Sequence, residues 1–113
     1  MATAKDLRRL ALALAGTRQA PHFERTAFKA ARIYVTLAAD GRSANFMFTP
    51  DEQEFKCMMA PDAFRPVPNA WGKKGTTTAT LSKLSLAELR SALEMAYAHG
   101  AAKRTKSKRA VRG

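Results

Sequence analysis

The sequence predicts a single domain of the α+β class, and three observations support this. Its 113 residues, 46% of them apolar, suffice for one hydrophobic core, whereas two domains of half that length would each be marginal. Near both ends of the chain, apolar residues recur at helical spacing. Between them, segments of alternating apolar and polar residues are typical of strands, and an Asp-Gly pair joins two of these segments as a hairpin.

The first predicted helix covers residues 4 to 15. Thr3 and Asp6 have the spacing of a capping box, and Gly16 is of a type at which helices often stop. Basic residues precede its apolar run, as in a signal peptide, but the run is short and has helical spacing. No stretch approaches the roughly eighteen apolar residues of a membrane span. Because the only cysteine, Cys57, cannot form an internal disulfide, we expect a cytoplasmic protein.

A short strand over residues 26 to 31 is predicted to precede the hairpin around Asp40 and Gly41. This pair suits a two-residue type I′ turn, whose register places Val35 opposite Phe46, with both in the core. The same register pairs Leu37 with Ala44 and Ile33 with Phe48 on the core side, and Tyr34 with Met47 and Thr36 with Asn45 on a partly exposed face.

Two further helices and one strand are predicted in the second half of the chain. The second helix begins at Thr49, with Pro50 in its first turn and Glu52 completing a capping box. Residues 76 to 82 alternate strictly, as in a strand, and the last helix ends at Gly100. The element order is therefore a helix, three strands, a helix, one or two strands and a helix. The apolar stripe of the second helix consists of Phe55, Met58 and Met59. The predicted strand exposes the hydroxyls of Thr76, Thr78 and Thr80. Ser85 and Glu88 form a third capping box, at the start of the last helix.

The residue sets that would indicate an enzyme are absent from the sequence. His22 and His99 lie far apart and no paired cysteine spacing accompanies them, so we expect no metal and no cofactor. Asp51, Glu52 and Glu54 cluster at a predicted helix start, where capping and the helix dipole explain carboxylates without catalysis. Neither a nucleophile turn nor a complete phosphate loop is present. We therefore predict a non-enzymatic binding module.

The positive charge is concentrated at the end of the chain. Twenty basic and nine acidic residues give a net charge of +11, but six of the basic residues lie beyond Ala102. Residues 1 to 102 therefore carry fourteen basic and nine acidic side chains, a net +5. We predict a folded domain over residues 1–102 and a disordered basic tail over 103–113, because the tail lacks apolar residues. Its basic residues are Lys103, Arg104, Lys106, Lys108, Arg109 and Arg112.

Within the domain, a turn bounded by Gly72 and Gly75 carries two lysines and leads into a run of threonines. Such side chains can contact phosphate oxygens, although a solvated turn without a ligand is the more common structure of such a segment. We interpret Trp71 as a core or rim packing residue rather than a base-stacking platform. The candidate nucleic-acid-binding residues of the domain are Lys29, Arg32, Trp71, Lys73, Lys74, Thr76 and Thr78.

Three segments together resemble the MmcQ/YjbR family over roughly residues 20 to 104. They are Pro21-His22-Phe23 with Thr26-Ala27-Phe28-Lys29, the run from Thr49 to Phe55, and the run from Pro66-Val67-Pro68-Asn69-Ala70-Trp71 through Gly72-Lys73-Lys74-Gly75 to Thr78. The resemblance implies an α-β(3)-α-β(2)-α fold with an antiparallel sheet, similar to type III secretion chaperones and frataxin-like proteins. It also implies DNA binding through a double-wing arrangement. Relatives commonly carry Trp where Thr76 stands, which leaves Trp71 as the only aromatic of this loop.

Two functions remain open from the sequence. The first is nucleic-acid binding, mainly through phosphate contacts and with weak sequence specificity. The second is a protein-interaction or chaperone-like module, in which a sheet edge or the methionine-rich helix binds a partner and the tail only aids solubility. The first requires Lys29 and Arg32 to converge with Lys73 and Lys74 on one basic surface.

Overall fold

A computed structural model describes residues 1–101 of the chain. The helices are α1 (Ala4–Leu12), α2 (Pro50–Met59), α3 (Ala70–Lys73) and α4 (Leu86–Ala101). The strands are β1 (Arg18–His22), β2 (Arg25–Lys29), β3 (Ile33–Leu37), β4 (Ser43–Met47), β5 (Phe64–Pro66) and β6 (Thr76–Thr80). A 3₁₀ turn, Leu81–Lys83, connects β6 to α4. The predicted basic tail, with Lys103, Arg104, Lys106, Lys108 and Arg109, lies outside the described residues.

The six strands form one antiparallel sheet in the order β1-β2-β3-β4-β6-β5. Helix α4 packs across β3 and β4, α1 packs on α4, and α2 packs beside β5. Helices α1, α2 and α4 therefore cover one face of the sheet, and this arrangement confirms the predicted α+β class. We call the opposite side the open face; by strand alternation it carries Arg18, Ala20, His22, Arg25, Ala27, Lys29, Thr36, Ser43, Asn45, Met47, Arg65, Thr76, Thr78 and Thr80.

The hydrophobic core lies between the covered face and the helices. Phe28, Val35 and Phe46 from neighbouring strands are buried there against Leu89 and Leu93 of α4. Each buried side chain of this size contributes about 1.5 to 3 kcal/mol to the free energy of unfolding. This burial fixes the sheet on α4. On the open face, Ala27, Thr36 and Thr76 are also buried, whereas the other residues are at least partly exposed.

The predicted hairpin register is confirmed over residues 35–37 and 44–46, but the predicted core pair of Ile33 with Phe48 is wrong, because the β3–β4 ladder stops at Val35 and Phe46 and Ile33 lies beyond a bulge. Val35 pairs with Phe46 and Leu37 pairs with Ala44, and all four side chains are buried. The predicted type I′ turn is wrong, because only Gly41, with a φ of 73°, has the required positive angle. Gly41 N–H donates instead to the Ala38 carbonyl at 2.9 Å. The register survives this change because the apolar pattern of both strands specifies it.

Tyr34 lies on the covered side, and its predicted place opposite Met47 on the partly exposed face is wrong. Phe28 pairs with Val35 but Lys29 pairs with Ile33, so Tyr34 is an extra residue without a partner in β2. A bulge of this kind re-aims a side chain. Tyr34 is buried, its ring lies edge-on to Tyr97 at 5.4 Å, and its hydroxyl is 2.8 Å from the Thr17 hydroxyl.

The structure adds strand β1 and the short helix α3 to the predicted order. Pro21 lies within β1, and a proline lowers the strand signal because it cannot donate to the hydrogen-bond ladder. It is tolerated here since β1 is an edge strand. Helix α1 ends at Leu12 rather than at residue 15, and Gly16, with a φ of 77°, belongs to the turn that follows.

Helix α2 begins as predicted, but its apolar stripe is not buried. Thr49 and Glu52 form the expected capping box. Met58 is 70% exposed and Met59 is 66% exposed. Lys56, which lies nearer the start of the helix, is buried. The Lys56 ammonium donates to the Ser91 hydroxyl of α4 at 3.1 Å, and burial lowers its pKa. The helix thus packs through the stem of a lysine, and part of its apolar surface, including Phe55, faces solvent.

Gly100 is part of α4 and does not end it as predicted. The Ser85–Glu88 capping box at the other end of this helix is confirmed. A Cβ atom at Gly100 would lie 2.8 Å from the Tyr34 Cβ atom. Glycine is required here because the helix approaches the sheet too closely for a larger residue.

Candidate nucleic-acid interface

The predicted lysines lie at one end of the sheet, in two separate groups. Lys29 is the last residue of β2 and pairs with Ile33. Lys73 and Lys74 precede Thr76, which pairs with Met47. Both pairs lie at the same end of the sheet. Two strands, β3 and β4, separate β2 from β6, a distance of about 14 Å at the spacing of strands in a sheet. The predicted residues therefore share an end of the sheet without forming one cluster.

Arg32 has a structural contact that the sequence did not indicate. Its guanidinium donates to the His99 carbonyl at 2.6 Å, and its backbone N–H donates to the Gly100 carbonyl at 2.8 Å. Carbonyls of the last helical turn lack partners within the helix. Arg32 therefore stabilises the end of α4. His99 in turn lies 2.8 Å from the Glu52 carboxylate, which links α4 to α2.

Trp71 projects from α3 and is not a core residue, because 61% of it is exposed. The Asn69 side chain accepts from the Trp71 backbone N–H at 2.8 Å and so starts this short helix. The Lys74 ammonium lies 5.2 Å from the centre of the Trp71 ring, within cation–π range. Lys73 and Lys74 are both exposed. This loop therefore presents an aromatic ring and two cations to solvent.

The threonines that follow do not form the predicted row of exposed hydroxyls. Thr76 is only 8% exposed, and its hydroxyl lies 3.9 Å from the Met47 sulfur. The Thr78 hydroxyl donates to the Asn45 side-chain carbonyl at 2.7 Å. These two threonines fix neighbouring side chains of the open face instead of meeting a ligand as a row.

The glycines of the loop allow close packing of α3 on the sheet. A Cβ atom at Gly72 would lie 1.8 Å from the Val67 carbonyl oxygen. At Gly75, where φ is 113°, it would lie 2.1 Å from the Phe48 carbonyl oxygen. Gln53 of α2 reinforces the loop, since its side-chain amide donates to the Gly72 and Thr76 carbonyls. Trp71 is thus held on a fixed support.

A cleft on the open face joins Trp71 to residues that the sequence analysis did not select. It has a volume of about 440 Å³, within the range of small-molecule sites. The β1–β2 turn contributes Phe23, which is 93% exposed, and α3 contributes Trp71. The residues that line the cleft are His22, Phe23, Arg25, Thr36, Asn45, Met47, Val67, Asn69, Trp71 and Thr76.

Arg25 lies in this cleft without an acidic partner. Its Nε donates to the Thr36 hydroxyl at 2.8 Å and a terminal nitrogen donates to the Thr36 carbonyl at 3.2 Å. Within residues 1–101, no carboxylate lies within 4 Å of its guanidinium. Burial lowers the pKa of Arg25, and the more distant charge of Asp40 opposes this shift. The side chain is therefore held in place as a cation, with hydrogen-bond donors left over for an anion.

The charged side chains that the strands place on the open face are all basic. The strands carry four basic residues, and none of the six strands in the described part of the chain contains Asp or Glu. Strand alternation places all four on the open face; they are Arg18, Arg25, Lys29 and Arg65. Either sign of charge would be excluded from the covered face, so the informative fact is that the strands place no acid on the open face.

A second exposed surface lies on the helical side of the molecule. Phe55, Met58 and Met59 of α2 and Leu86 of α4 are all exposed. A groove of about 270 Å³ runs between these two helices. Cys57 of α2 is half-buried, and burial raises the pKa of its thiol, which disfavours the reactive thiolate.

Two features are absent from residues 1–101. No group of three or more His, Cys, Asp or Glu side chains is placed to hold a metal ion there. Over the same residues, none of the helices has the length and apolar character needed to cross a membrane.

Comparisons with known proteins agree with the fold. No protein-family model matches this chain, and no curated protein matches it. The crystal structure of the Deinococcus radiodurans protein DR2400, with a DUF419 domain, matches it with a TM-score of 0.76 and 21% sequence identity. The match covers 96% of this chain and 87% of that one. DUF419 is the YjbR/MmcQ-type family. At this level of identity, the chain is shown to share the fold of the DUF419 protein.

Proposed function

We propose that the chain is a cytoplasmic, non-enzymatic nucleic-acid-binding protein of the YjbR/MmcQ type. It binds through phosphate contacts of the open face, with the basic tail adding affinity, and it uses no cofactor or metal. The observation that carries this proposal is the charge of the open face, where Arg18, Arg25, Lys29 and Arg65 occur without any strand acid. Phosphate contacts of this kind give affinity that depends on salt and little on sequence.

The spacing of these residues suits several phosphates rather than one. Strands β2 and β5 are four steps apart in the sheet, which places Arg25 and Arg65 about 19 Å from each other. Lys73 and Lys74 extend the positive surface beyond the edge at which β6 begins. A nucleic-acid backbone crossing the strands would meet cations along this path.

The test compares two charge-matched double variants of residues 1–102, which removes the tail. Lys29→Ala with Arg65→Ala takes two cations from the open face, whereas Lys5→Ala with Arg90→Ala takes two exposed cations from α1 and α4. Affinity for a labelled oligonucleotide is measured over a salt series, with circular dichroism to verify folding. We expect the open-face variant to flatten the slope of log affinity against log salt by about 1.4 to 1.8, and the control to leave it unchanged.

A protein-interaction or chaperone-like function is the second candidate, and the exposed apolar residues of α2 favour it. Phe55, Met58 and Met59 form an apolar surface beside the groove between α2 and α4, and such surfaces often mark partner sites. If residues 1–102 bind no oligonucleotide even at low salt, nucleic-acid recognition by the domain is wrong. The protein-interaction function then replaces it.

A further inference from the structure

The cleft on the open face has two aromatic walls. Phe23 and Trp71 come from segments far apart in the chain, yet both line the same 440 Å³ space. Large exposed aromatic rings are unfavourable in water, and rings that face a shared cleft are the arrangement by which proteins stack on planar groups. The walls therefore suit a flat aromatic ligand.

The Phe23 ring is held out by an unusual backbone. Phe23 has a φ of 60°, a left-handed conformation that residues other than glycine rarely adopt. The His22 ring, with its centre 4.8 Å away and its plane inclined by 65°, is its aromatic neighbour. A bulky residue in a strained and exposed position gains nothing from packing, and strain of this kind is concentrated at binding sites.

The cleft also holds polar groups suited to a nucleotide. Arg25 retains unused donors and has no acidic partner within residues 1–101, which matches a phosphate. The Asn45 side-chain carbonyl accepts from Thr78, and within residues 1–101 its amide nitrogen donates no side-chain hydrogen bond. A side-chain amide can bond the edge of a base. Aromatic walls, one cation and one amide together match a base with its phosphate.

We propose that this cleft binds one unpaired base of a single-stranded nucleic acid between Phe23 and Trp71, with Arg25 on an adjacent phosphate. The inference rests on the proposed nucleic-acid function and makes it more specific. A base within a duplex is already stacked on both sides, so it cannot enter the cleft without leaving the helix. The protein should therefore prefer single strands to duplexes, because only single strands offer bases whose faces are free.

The full chain contains a single tryptophan, so fluorescence excited selectively at tryptophan reports on Trp71 alone. The full-length protein is titrated with oligodeoxythymidylate of about eight nucleotides, a usual span for one domain. An abasic oligomer of the same length supplies the phosphates without bases, and a duplex of the same length supplies paired bases. Fluorescence anisotropy of labelled oligomers measures binding independently of Trp71.

We expect oligodeoxythymidylate to quench Trp71 fluorescence, and the abasic oligomer to bind without quenching. Phe23→Asn should lower the affinity for oligodeoxythymidylate by about 5- to 150-fold, the range for the loss of one stacked base. It should leave the affinity for the abasic oligomer unchanged. The matched control is Phe55→Asn, which removes an exposed phenylalanine from α2 and should leave both affinities unchanged.

Four results would overturn the proposal. Equal binding and quenching by the abasic oligomer would show phosphate contacts alone, and the proposed nucleic-acid function would still stand. Quenching by the duplex as strong as by the single strand would remove the preference for unpaired bases. Thymidine monophosphate binding as tightly as the oligomer would make a free nucleotide the ligand. If no oligomer binds by anisotropy, the proposed function fails as well.

Discussion

Phe23 has a backbone φ of 60° and its side chain is 93% exposed. Neither backbone preference nor burial favours phenylalanine at this position, whereas Asn and Gly adopt such angles readily. Trp71 is likewise a large exposed aromatic, held by the Asn69 side chain and the Lys74 ammonium. The exposed aromatic residues of the cleft thus differ from the core residues, whose apolar character is explained by their burial.

Replacing Phe23 with Asn should maintain or increase stability while it weakens binding. The substitution relieves backbone strain of about 1 kcal/mol, and little packing is lost because the ring is exposed. We expect urea denaturation to give a free energy of unfolding unchanged or raised by up to about 1 kcal/mol. A loss of more than about 1 kcal/mol would show that the Phe23 ring packs on the fold.

Lys73 and Lys74 are expected to lie at the edge of the nucleic-acid footprint. Changing both to Ala should flatten the salt dependence of binding by residues 1–102 by up to about two, since each phosphate contact contributes about 0.9 to the slope. A salt titration on labelled oligonucleotide measures this, with circular dichroism as the folding control. An unchanged slope would restrict the footprint to the strands.

At the scale of elements, local patterns could be predicted and long-range ones could not. The capping boxes at Thr3, Thr49 and Ser85 were identified because each involves residues three positions apart. The hairpin register followed from alternation within two adjacent strands. Strand β1 was missed because of Pro21, and the side of Tyr34 depends on a shift in pairing with β2. No pattern within either strand reveals such a shift.

The candidate site was predicted only in part, for the same reason. Lys73, Lys74 and Trp71 are adjacent in sequence and could be identified as one loop. The cleft could not, because its walls come from the β1–β2 turn and α3, which only the sheet order brings together. A signal did exist in the sequence, since Phe23 lies between His22 and Glu24 in a segment too polar for a core strand.

The pair of Val35 and Phe46 lies at the centre of the core, so its truncation tests the stability of the hairpin. Phe46 is buried opposite Val35, and its ring stacks on Phe48 with centres 5.5 Å apart. Phe46→Ala should lower the free energy of unfolding by roughly 3 to 5 kcal/mol, as for other buried aromatics. Ser43→Ala on the same strand is the control and should change it by less than about 0.5 kcal/mol. A loss under about 1 kcal/mol for Phe46→Ala would contradict its place in the core.

For the whole molecule, the prediction for the tail remains to be tested. Residues 103–113 lie outside the described residues, and their composition predicts that they add nothing to folding. Thermal unfolding of the full chain and of residues 1–102 should give the same melting temperature within a few degrees. A clearly lower value for the shorter chain would show that the tail docks on the domain.

The molecule has two distinct exposed surfaces that correspond to its two candidate functions. The open face is basic and carries the cleft, whereas the α2 side is apolar and carries Phe55, Met58 and Met59. A basic tail binds polyanions on its own, so the affinity of the full chain for nucleic acid cannot show which of the two surfaces binds it. The location of the ligand on residues 1–102 can.

Nuclear magnetic resonance mapping on residues 1–102 gives that location directly. A single-stranded oligonucleotide is added to the isotope-labelled domain, and shifts of backbone amides, the Trp71 indole N–H and the Asn45 side-chain amide are followed. We expect the changes to cluster at Phe23, Arg25, Asn45 and Trp71, with smaller ones at Lys29. Changes confined to α2 and the start of α4, with the Trp71 indole unmoved, would contradict nucleic-acid binding by the open face.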